Sequence, residues 1–192
     1  MSAPPLRMRR WRRTEYEKLV EVGVFAFDER LELLDGLLVV REPQGSRHAA
    51  ALGLAHDALR RAFGRNHWVR VQSPVALDET SEPEPDLSVV RGNPRRYREA
   101  HPSAPLLVLE IADTSLAIDR HRKGSLYARR GIADYWILNL LDGVLEIHRQ
   151  PVRAAGARYG WKYRTVRLLK RGAVITPLAA PSARIRVADL LP

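Results

Sequence analysis

Residues 106–112 read Leu-Leu-Val-Leu-Glu-Ile-Ala, an aliphatic run that only Glu110 interrupts. A nearly continuous apolar run of this length is typical of a strand that is buried on both faces of an α/β sheet. A carboxylate inside such a strand loses its hydration, which costs several kcal/mol unless a partner compensates. We therefore expect Glu110 to be protonated, ion-paired or bound to a cation.

The segments on either side of this run predict the rest of an α/β unit. Residues 86–90 (Asp-Leu-Ser-Val-Val) follow Pro85 and are predicted to form a short strand. Residues 119–130 have helical spacing and end before Gly131, and residues 135–140 (Tyr-Trp-Ile-Leu-Asn-Leu) are a second buried strand. The order strand, helix, strand implies a parallel crossover connection.

Further elements precede and follow this unit. The pair Asp35-Gly36 lies between two apolar runs and predicts a tight hairpin, and Asp142-Gly143 predicts a second one. Residues 46–63 are predicted to form a helix that ends at Gly64, and residues 68–77 are a strand candidate. The predicted fold is α/β, with a mixed central sheet flanked by helices and extra hairpin strands near the C-terminus.

Composition sets the broad class of the protein. The chain has 192 residues, of which 45% are hydrophobic and 28% charged, and this predicts a single globular domain over residues 14–192 after a basic leader, residues 1–13. No apolar run approaches the roughly 20 residues that span a bilayer, so we expect a cytoplasmic protein without a membrane partner. Cysteine is absent, so a metal would need carboxylate or histidine ligands.

The net charge of +10 is the first indication of a partner. Lysine and arginine near phosphates release condensed counterions, so a surplus of this size favours nucleic acid. The alternative is an arginine-rich composition with no particular partner.

Two carboxylates are predicted to converge at one end of the sheet. If the strand that begins at Asp86 pairs antiparallel with the strand that contains Glu110, the start of one lies beside the end of the other. Two carboxylates in that position suit an oxygen-preferring cation such as Mg²⁺ or Mn²⁺. Alternatively, Asp86 is a turn carboxylate and Glu110 a structural acid in a salt bridge.

A lysine follows on the next predicted helix. Lys123 shares a helix face with Asp119 and Tyr127, four residues to either side, and it can reach back toward Glu110. An ammonium group beside a metal and a phosphate would stabilise developing negative charge. The alternatives are a solvated Lys123 and an Asp119 that serves as the N-cap of its helix.

Together these residues resemble the PD-(D/E)xK nuclease superfamily and, more narrowly, the Uma-type restriction endonucleases of bacteria. The resemblance extends over about residues 14–149. The features that carry it are Leu31-Glu32-Leu33-Leu34-Asp35-Gly36, His48, Pro85-Asp86-Leu87-Ser88-Val89-Val90, Leu107-Val108-Leu109-Glu110, Asp119, Lys123, Tyr127, Gly131 and Asp134-Tyr135-Trp136.

The resemblance implies a restriction-endonuclease-like core, a divalent cation held by Asp86 and Glu110, and hydrolysis of DNA phosphodiesters. It also implies that Glu32 completes the outer coordination of the metal. His48 would contact a phosphate or the metal's surroundings. The alternatives are an exposed strand residue for Glu32 and a helix-start hydrogen bonder for His48.

One position departs from the superfamily pattern. In its simplest form the lysine lies two residues after the glutamate, but here that residue is Ala112. The resemblance implies that Lys123 supplies the amine from the helix instead; otherwise the site is weakened.

The resulting prediction is a Mg²⁺- or Mn²⁺-dependent DNA endonuclease that acts as a homodimer, because cutting two strands with one site per chain favours two-fold symmetry. Four arginines after the Asp86 strand either hold the DNA backbone or form a solvated basic loop: Arg91, Arg95, Arg96 and Arg98. The competing functions are a nucleic-acid-binding module with weak or no catalysis, and a hydrolase of small phosphoesters.

Overall fold

The computed structural model describes residues 8–26, 29–41 and 43–192. The first half of the chain contains α1 (Arg13–Glu21), β1 (Leu31–Leu34), β2 (Leu37–Val40), α2 (Ser46–Phe63), β3 (His67–Val71) and β4 (Leu87–Arg91). The second half contains β5 (Leu107–Ala112), α3 (Leu116–Ile118), a π-helical turn (Asp119–Lys123), α4 (Gly124–Arg129), β6 (Asp134–Asn139), β7 (Val144–Arg153), β8 (Trp161–Lys170), β9 (Val174–Ile175) and β10 (Ile185–Arg186).

Six strands form the central sheet in the order β3-β4-β5-β6-β7-β8. Only β5 and β6 pair in parallel; each of the other neighbours pairs antiparallel. The parallel pair is the one that the helical segment connects, as the strand–helix–strand order predicts. The predicted α/β fold with a mixed sheet is confirmed.

Side chains alternate along β5, so the sheet has two different buried faces. Leu109 and Ile111 pack with Leu59 and other residues of α2 on one face. Val108 and Ala112 pack with residues of α4 on the other. The two helical layers therefore cover opposite faces, and β5 is buried along its whole length.

The predicted hairpin and the predicted second helix are both present. Asp35 and Gly36 have φ angles of 51° and 79°, the pair of positive values that a type I′ turn requires. Helix α2 spans the predicted residues 46–63 and ends at Gly64, whose φ of 64° stops the helix.

Two predictions about element boundaries were wrong. The strand predicted over residues 68–77 ends at Val71, because Gln72 adopts a φ of 41° and the chain leaves the sheet there. Asp119 is not a helix N-cap: α3 precedes it, and its own backbone is helical. The helical segment thus begins at Leu116 and runs through a π turn before α4.

Part of the predicted leader is described. Residues 1–7 lie outside the described residues, but the next ones contact the first hairpin. The backbone N–H of Trp11 donates to the Gly36 carbonyl at 2.9 Å, and the Arg10 guanidinium pairs with Asp35 at 2.8 Å. Over the described ranges, none of the helices combines the length and the apolar character that crossing a membrane would need.

Candidate metal centre

Asp86 and Glu110 lie together at one end of the sheet. Strands β4 and β5 pair antiparallel with Leu87 opposite Leu109. This register brings Asp86, which precedes Leu87, beside Glu110, which follows Leu109. The Asp86 N–H donates to Glu110 Oε2 at 3.3 Å, and the Ile111 N–H donates to Asp86 Oδ2 at 2.8 Å. The predicted convergence of the two acids is therefore present, and both side chains are buried.

Polar groups from other parts of the chain surround the Asp86 carboxylate. His48, near the start of α2, places Nε2 3.1 Å from Oδ2. The side-chain amides of Gln44 and Gln72 each donate to Oδ1 at 3.2 Å, and the Arg41 guanidinium is 3.4 Å from the same oxygen. Asp86 is thus held at a fixed orientation with its charge compensated.

The Glu110 carboxylate is bound from the helical segment that follows β5. Lys123 Nζ donates to Oε1 at 3.1 Å, and the Tyr127 hydroxyl donates to the same oxygen at 2.8 Å. Lys123 also lies 3.2 Å from Glu32 Oε1, and Glu32 accepts the Glu84 N–H at 3.1 Å. The first hairpin, β5 and the helix therefore meet at one ammonium group.

The π turn explains how the helical segment faces the site. An i→i+5 turn widens the helix by one residue and re-aims the side chains in it, and such turns recur at functional sites. Here Asp119 and Lys123 both line the cleft and are 2% and 5% exposed. The Ser115 hydroxyl, one turn earlier, donates to the Asp119 carboxylate.

The pKa values of the buried acids are shifted in different directions: those of Glu110 and Asp119 are raised, and that of Asp86 is lowered. Burial raises the pKa of Glu110 to about 8: Lys123 acts against this shift, while the other acids add to it. Burial also raises the pKa of Asp119 to about 6, again against Lys123. Asp86 differs. Burial acts to raise its pKa, yet the hydrogen bond and charge of His48, together with the Ile111 N–H, hold that pKa below the ordinary value.

The pKa of Lys123 is raised. Burial acts to lower it, but the nearby carboxylates of Glu110, Glu32 and Asp119 outweigh that effect. Lys123 is therefore protonated at neutral pH and acts as a fixed positive charge.

These side chains border a cleft of about 230 Å³. Among the described residues, five acids and two permanent cations line it: Glu32, Asp86, Glu110, Asp113 and Asp119 against Arg41 and Lys123. Acids in excess of cations at a water-accessible, oxygen-rich site suit a hard divalent cation.

The described part of the chain contains no group of three or more acidic or histidine side chains already arranged around one point. At Glu110, Lys123 and Tyr127 hold Oε1. The two carboxylates fit a cation whose remaining ligands are water or substrate, and Mg²⁺ usually keeps several waters.

The predicted arginines lie elsewhere. Arg91 is the last residue of β4, whereas Asp86 immediately precedes the first residue of that strand. The full length of β4 therefore separates Arg91 from Asp86. Arg95, Arg96 and Arg98 follow in the connection and are exposed. The structure does not bring this group to the carboxylates, and its role in binding DNA stays a prediction.

Sequence reasoning missed four groups at the site. Tyr127 stood on the predicted helix face but had no assigned role, although its spacing from Lys123 was a usable signal. Arg41, Gln44 and Gln72 approach Asp86 from segments far away in sequence, and no local pattern marks them. Only the packing of the hairpin and of α2 beside β4, and the pairing of β3 with β4, identify them.

Comparisons with known proteins identify a family and a shared fold. The sequence profile of the Uma2 family, described as "Putative restriction endonuclease", matches residues 13–188. A solved structure described as a "putative nuclease belonging to DUF820 from Anabaena variabilis ATCC 29413" superposes with a TM-score of 0.66 at 14% identity, covering 90% of this chain and 96% of that one. At this identity the likeness establishes the shared fold. No curated protein matched this chain.

Proposed function

This chain belongs to the Uma2 family, and we propose that it is a divalent-metal-dependent endonuclease that hydrolyses DNA phosphodiester bonds. The observation that carries the proposal is the buried group of Asp86, Glu110 and Lys123 beside an open cleft. Buried charges at the end of a sheet stabilise a fold poorly, so a functional role accounts for them better than a structural one.

Asp86 and Glu110 would hold the cation, Mg²⁺ or Mn²⁺, and Glu32 would assist from the hairpin. Such an ion, when bound, polarises a phosphoryl oxygen and lowers the pKa of its water. His48 and the two glutamine amides keep the Asp86 carboxylate oriented toward Glu110. Gln72 holds Gln44 in turn, with its amide 2.6 Å from the Gln44 side-chain oxygen.

Lys123 would supply positive charge to the scissile phosphate. Its raised pKa keeps the ammonium protonated, so it acts as a hydrogen-bond donor and not as a base. This function needs no lysine on β5 itself, where Ala112 faces the core packed under α4. Glu32 fixes the ammonium between hairpin and strand, so less entropy is lost when the phosphate binds.

A plasmid-nicking assay with Mg²⁺ and Mn²⁺ tests the proposal. Asp86→Asn, Glu110→Gln and Lys123→Met should each lower the rate by about 100-fold or more, the size found when one electrostatic group is removed from an active site. Glu79→Gln is the matched control, because Glu79 is an exposed acid outside the cleft. Cutting that persists in Asp86→Asn and Glu110→Gln would contradict the proposal.

A second candidate function is a nucleic-acid-binding module on a nuclease fold. It is favoured by one observation: the Lys123 ammonium is already engaged by two carboxylates, at 3.1 and 3.2 Å. Salt-sensitive DNA binding without cutting in Mg²⁺, Mn²⁺ or Co²⁺ would support this candidate and exclude the enzyme.

The proposed enzyme would act on duplex DNA as a homodimer, with one site for each strand. Sedimentation of the protein with and without a duplex measures this directly. A strictly monomeric protein that only nicks one strand would remove the homodimer from the proposal.

A further inference from the structure

The end of the sheet away from the carboxylates presents a cluster of arginines, here named the distal arginine patch. It consists of Arg60, Arg65, Arg91, Arg95 and Arg96, and all five side chains are exposed. They come from three parts of the chain: the last turn of α2, the turn before β3, and the end of β4 with its following loop. These positions are far apart in sequence, and the fold gathers them.

Several contacts bring these segments together. Residue 67 of β3 lies opposite Arg91 of β4, and the Gly92 N–H donates to the Asn66 carbonyl at 2.8 Å. The Arg96 side chain folds over Gly92, close enough that a Cβ there would lie 3.3 Å from it. A hollow of about 410 Å³ lies between the end of α2, the start of β3 and the loop after β4, and Arg60 and Arg65 border it.

The loop that carries Arg95 and Arg96 has a defined backbone. The Asn93 side chain accepts the Arg95 N–H at 3.0 Å and so caps the short 3₁₀ turn Pro94–Tyr97. The Tyr97 hydroxyl donates to the Arg91 carbonyl at 2.9 Å. The arginines are therefore presented from an ordered support, which lowers the entropy lost on binding a ligand.

The charge of the patch is not compensated internally. Of the nearby acids in the described residues, Glu99 pairs with Arg98 at 2.9 Å, and Asp57 forms no ion pair with the patch. Within the described ranges, none of the five patch guanidinium groups forms an ion pair with a carboxylate, whereas Arg120, Arg129 and Arg149 each do. Exposed guanidinium groups of this kind match the phosphates of a polyanion.

Two structural distances relate the patch to the carboxylates. Along β4, Arg91 lies five positions after Asp86, about 17 Å at about 3.3 Å per residue. Along α2, Arg60 lies twelve positions after His48, about 18 Å at about 1.5 Å per residue. Both correspond to about five base pairs of duplex at about 3.4 Å each.

We propose that the distal arginine patch binds the phosphate backbone of duplex DNA about five base pairs from the phosphate at the Asp86–Glu110 site. The inference rests on the proposed function, since it takes DNA as the ligand of that site. The patch would position the duplex and contribute affinity, without contact with the reacting atoms.

The test measures binding of a fluorescent duplex of about 24 base pairs by metal-free protein in EDTA, across a salt series. The triple variant Arg91→Gln, Arg95→Gln, Arg96→Gln should bind at least about tenfold more weakly. Its salt slope should be smaller by about 2.7, or about 0.9 for each phosphate that the variant no longer neutralises. Arg60→Gln with Arg65→Gln, on separate elements, should shift affinity and slope in the same direction, which guards against a folding defect in one loop.

A control of equal charge change comes from β8 and the turn after it: Arg164→Gln, Arg167→Gln, Arg171→Gln, all exposed. Equal weakening of binding in the patch and control variants would overturn the proposal, because net charge alone would explain it. Patch-dependent binding of polyglutamate that exceeds binding of the duplex would also overturn it, since the partner would then be an acidic protein.

Cleavage kinetics separate this inference from the proposed function. In an active enzyme the patch variants should raise KM and leave kcat unchanged. If the patch variants weaken DNA binding but the protein cuts no DNA, DNA binding by the patch is supported and the endonuclease function is excluded. If the protein cuts DNA and the patch variants leave KM unchanged, the endonuclease function is supported and DNA binding by the patch is excluded.

Discussion

The Lys123 ammonium donates to Glu110 Oε1 across 3.1 Å, and this contact joins the helical segment to the strand that precedes it. Both groups are buried, so each depends on the other for compensation of its charge. Glu32 of the first hairpin shares the same ammonium, and three separate elements therefore converge on one ion-pair network.

Lys123→Met should destabilise the metal-free protein by about 3 kcal/mol, because it leaves two buried carboxyl groups without their cation. Urea unfolding at pH 9, above the pKa of about 8 that burial gives Glu110, measures the change. Adding Glu110→Gln to this variant should recover part of the stability, since the uncompensated acid is then neutral. Strictly additive effects in the double variant would show that the two residues are not coupled.

Tyr127→Phe should reduce nicking about tenfold and weaken Mn²⁺ binding while the fold is retained, because Glu110 loses the hydroxyl that orients it. Tyr163→Phe is the matched control, since its buried hydroxyl donates to the Ile132 carbonyl at 2.8 Å, away from the carboxylates. Calorimetric titration with Mn²⁺ compares the two. Equal Mn²⁺ affinities would exclude a positioning role for Tyr127.

Glu82 should make stability depend on pH. Burial raises its pKa to about 7, with Glu17 adding to the shift and Arg13 opposing it, and its Oε2 has no hydrogen-bond partner among the described residues. The folded state thus retains a proton that the unfolded state releases above about pH 4.5, and stability falls as pH rises from there to about 7.

Glu82→Gln removes this titration. The free energy of unfolding of the variant, relative to the unmodified protein, should therefore increase between about pH 5 and about pH 8, by on the order of 2 kcal/mol. Glu79→Gln, at an exposed neighbouring position, is the control for the loss of one carboxyl group. A Glu82→Gln difference that is flat across this range would contradict the assignment.

Gly36→Ala should destabilise the protein by about 2 kcal/mol. Its φ of 79° is disfavoured for a residue with a Cβ, and the added carbon would lie 2.7 Å from Arg10 Cβ. Gly53→Ala provides the opposite control, since it lies in α2 with no atom within 4 Å and should stabilise by about 0.5–1 kcal/mol. Thermal unfolding of both variants measures the contrast; an unchanged stability of Gly36→Ala would argue against the I′ turn.

Much of the fold could be predicted from local sequence. The Asp35-Gly36 turn, the bounds of α2 and the buried strand around Glu110 all follow from backbone preferences and apolar periodicity, which act over a few residues. The strand predicted to continue to residue 77 failed because Gln72 turns the chain with a positive φ, a conformation that its side chain does not indicate. The π turn at Asp119 is likewise invisible to a pattern that assumes about 3.6 residues per turn.

The sequence by itself determined which side chains were predicted to form the candidate site: an acid in an aliphatic strand, an acid after a proline, and a lysine on the following helix. Their local patterns sufficed because burial of charge is costly wherever it occurs. Only the tertiary structure decided their partners. Arg41 and Gln44 reach Asp86 because the hairpin and α2 pack beside β4, and Gln72 reaches it because β3 pairs with β4. At the opposite end the same pairing and packing bring the arginines after β4 beside those of α2, and no sequence separation encodes these distances.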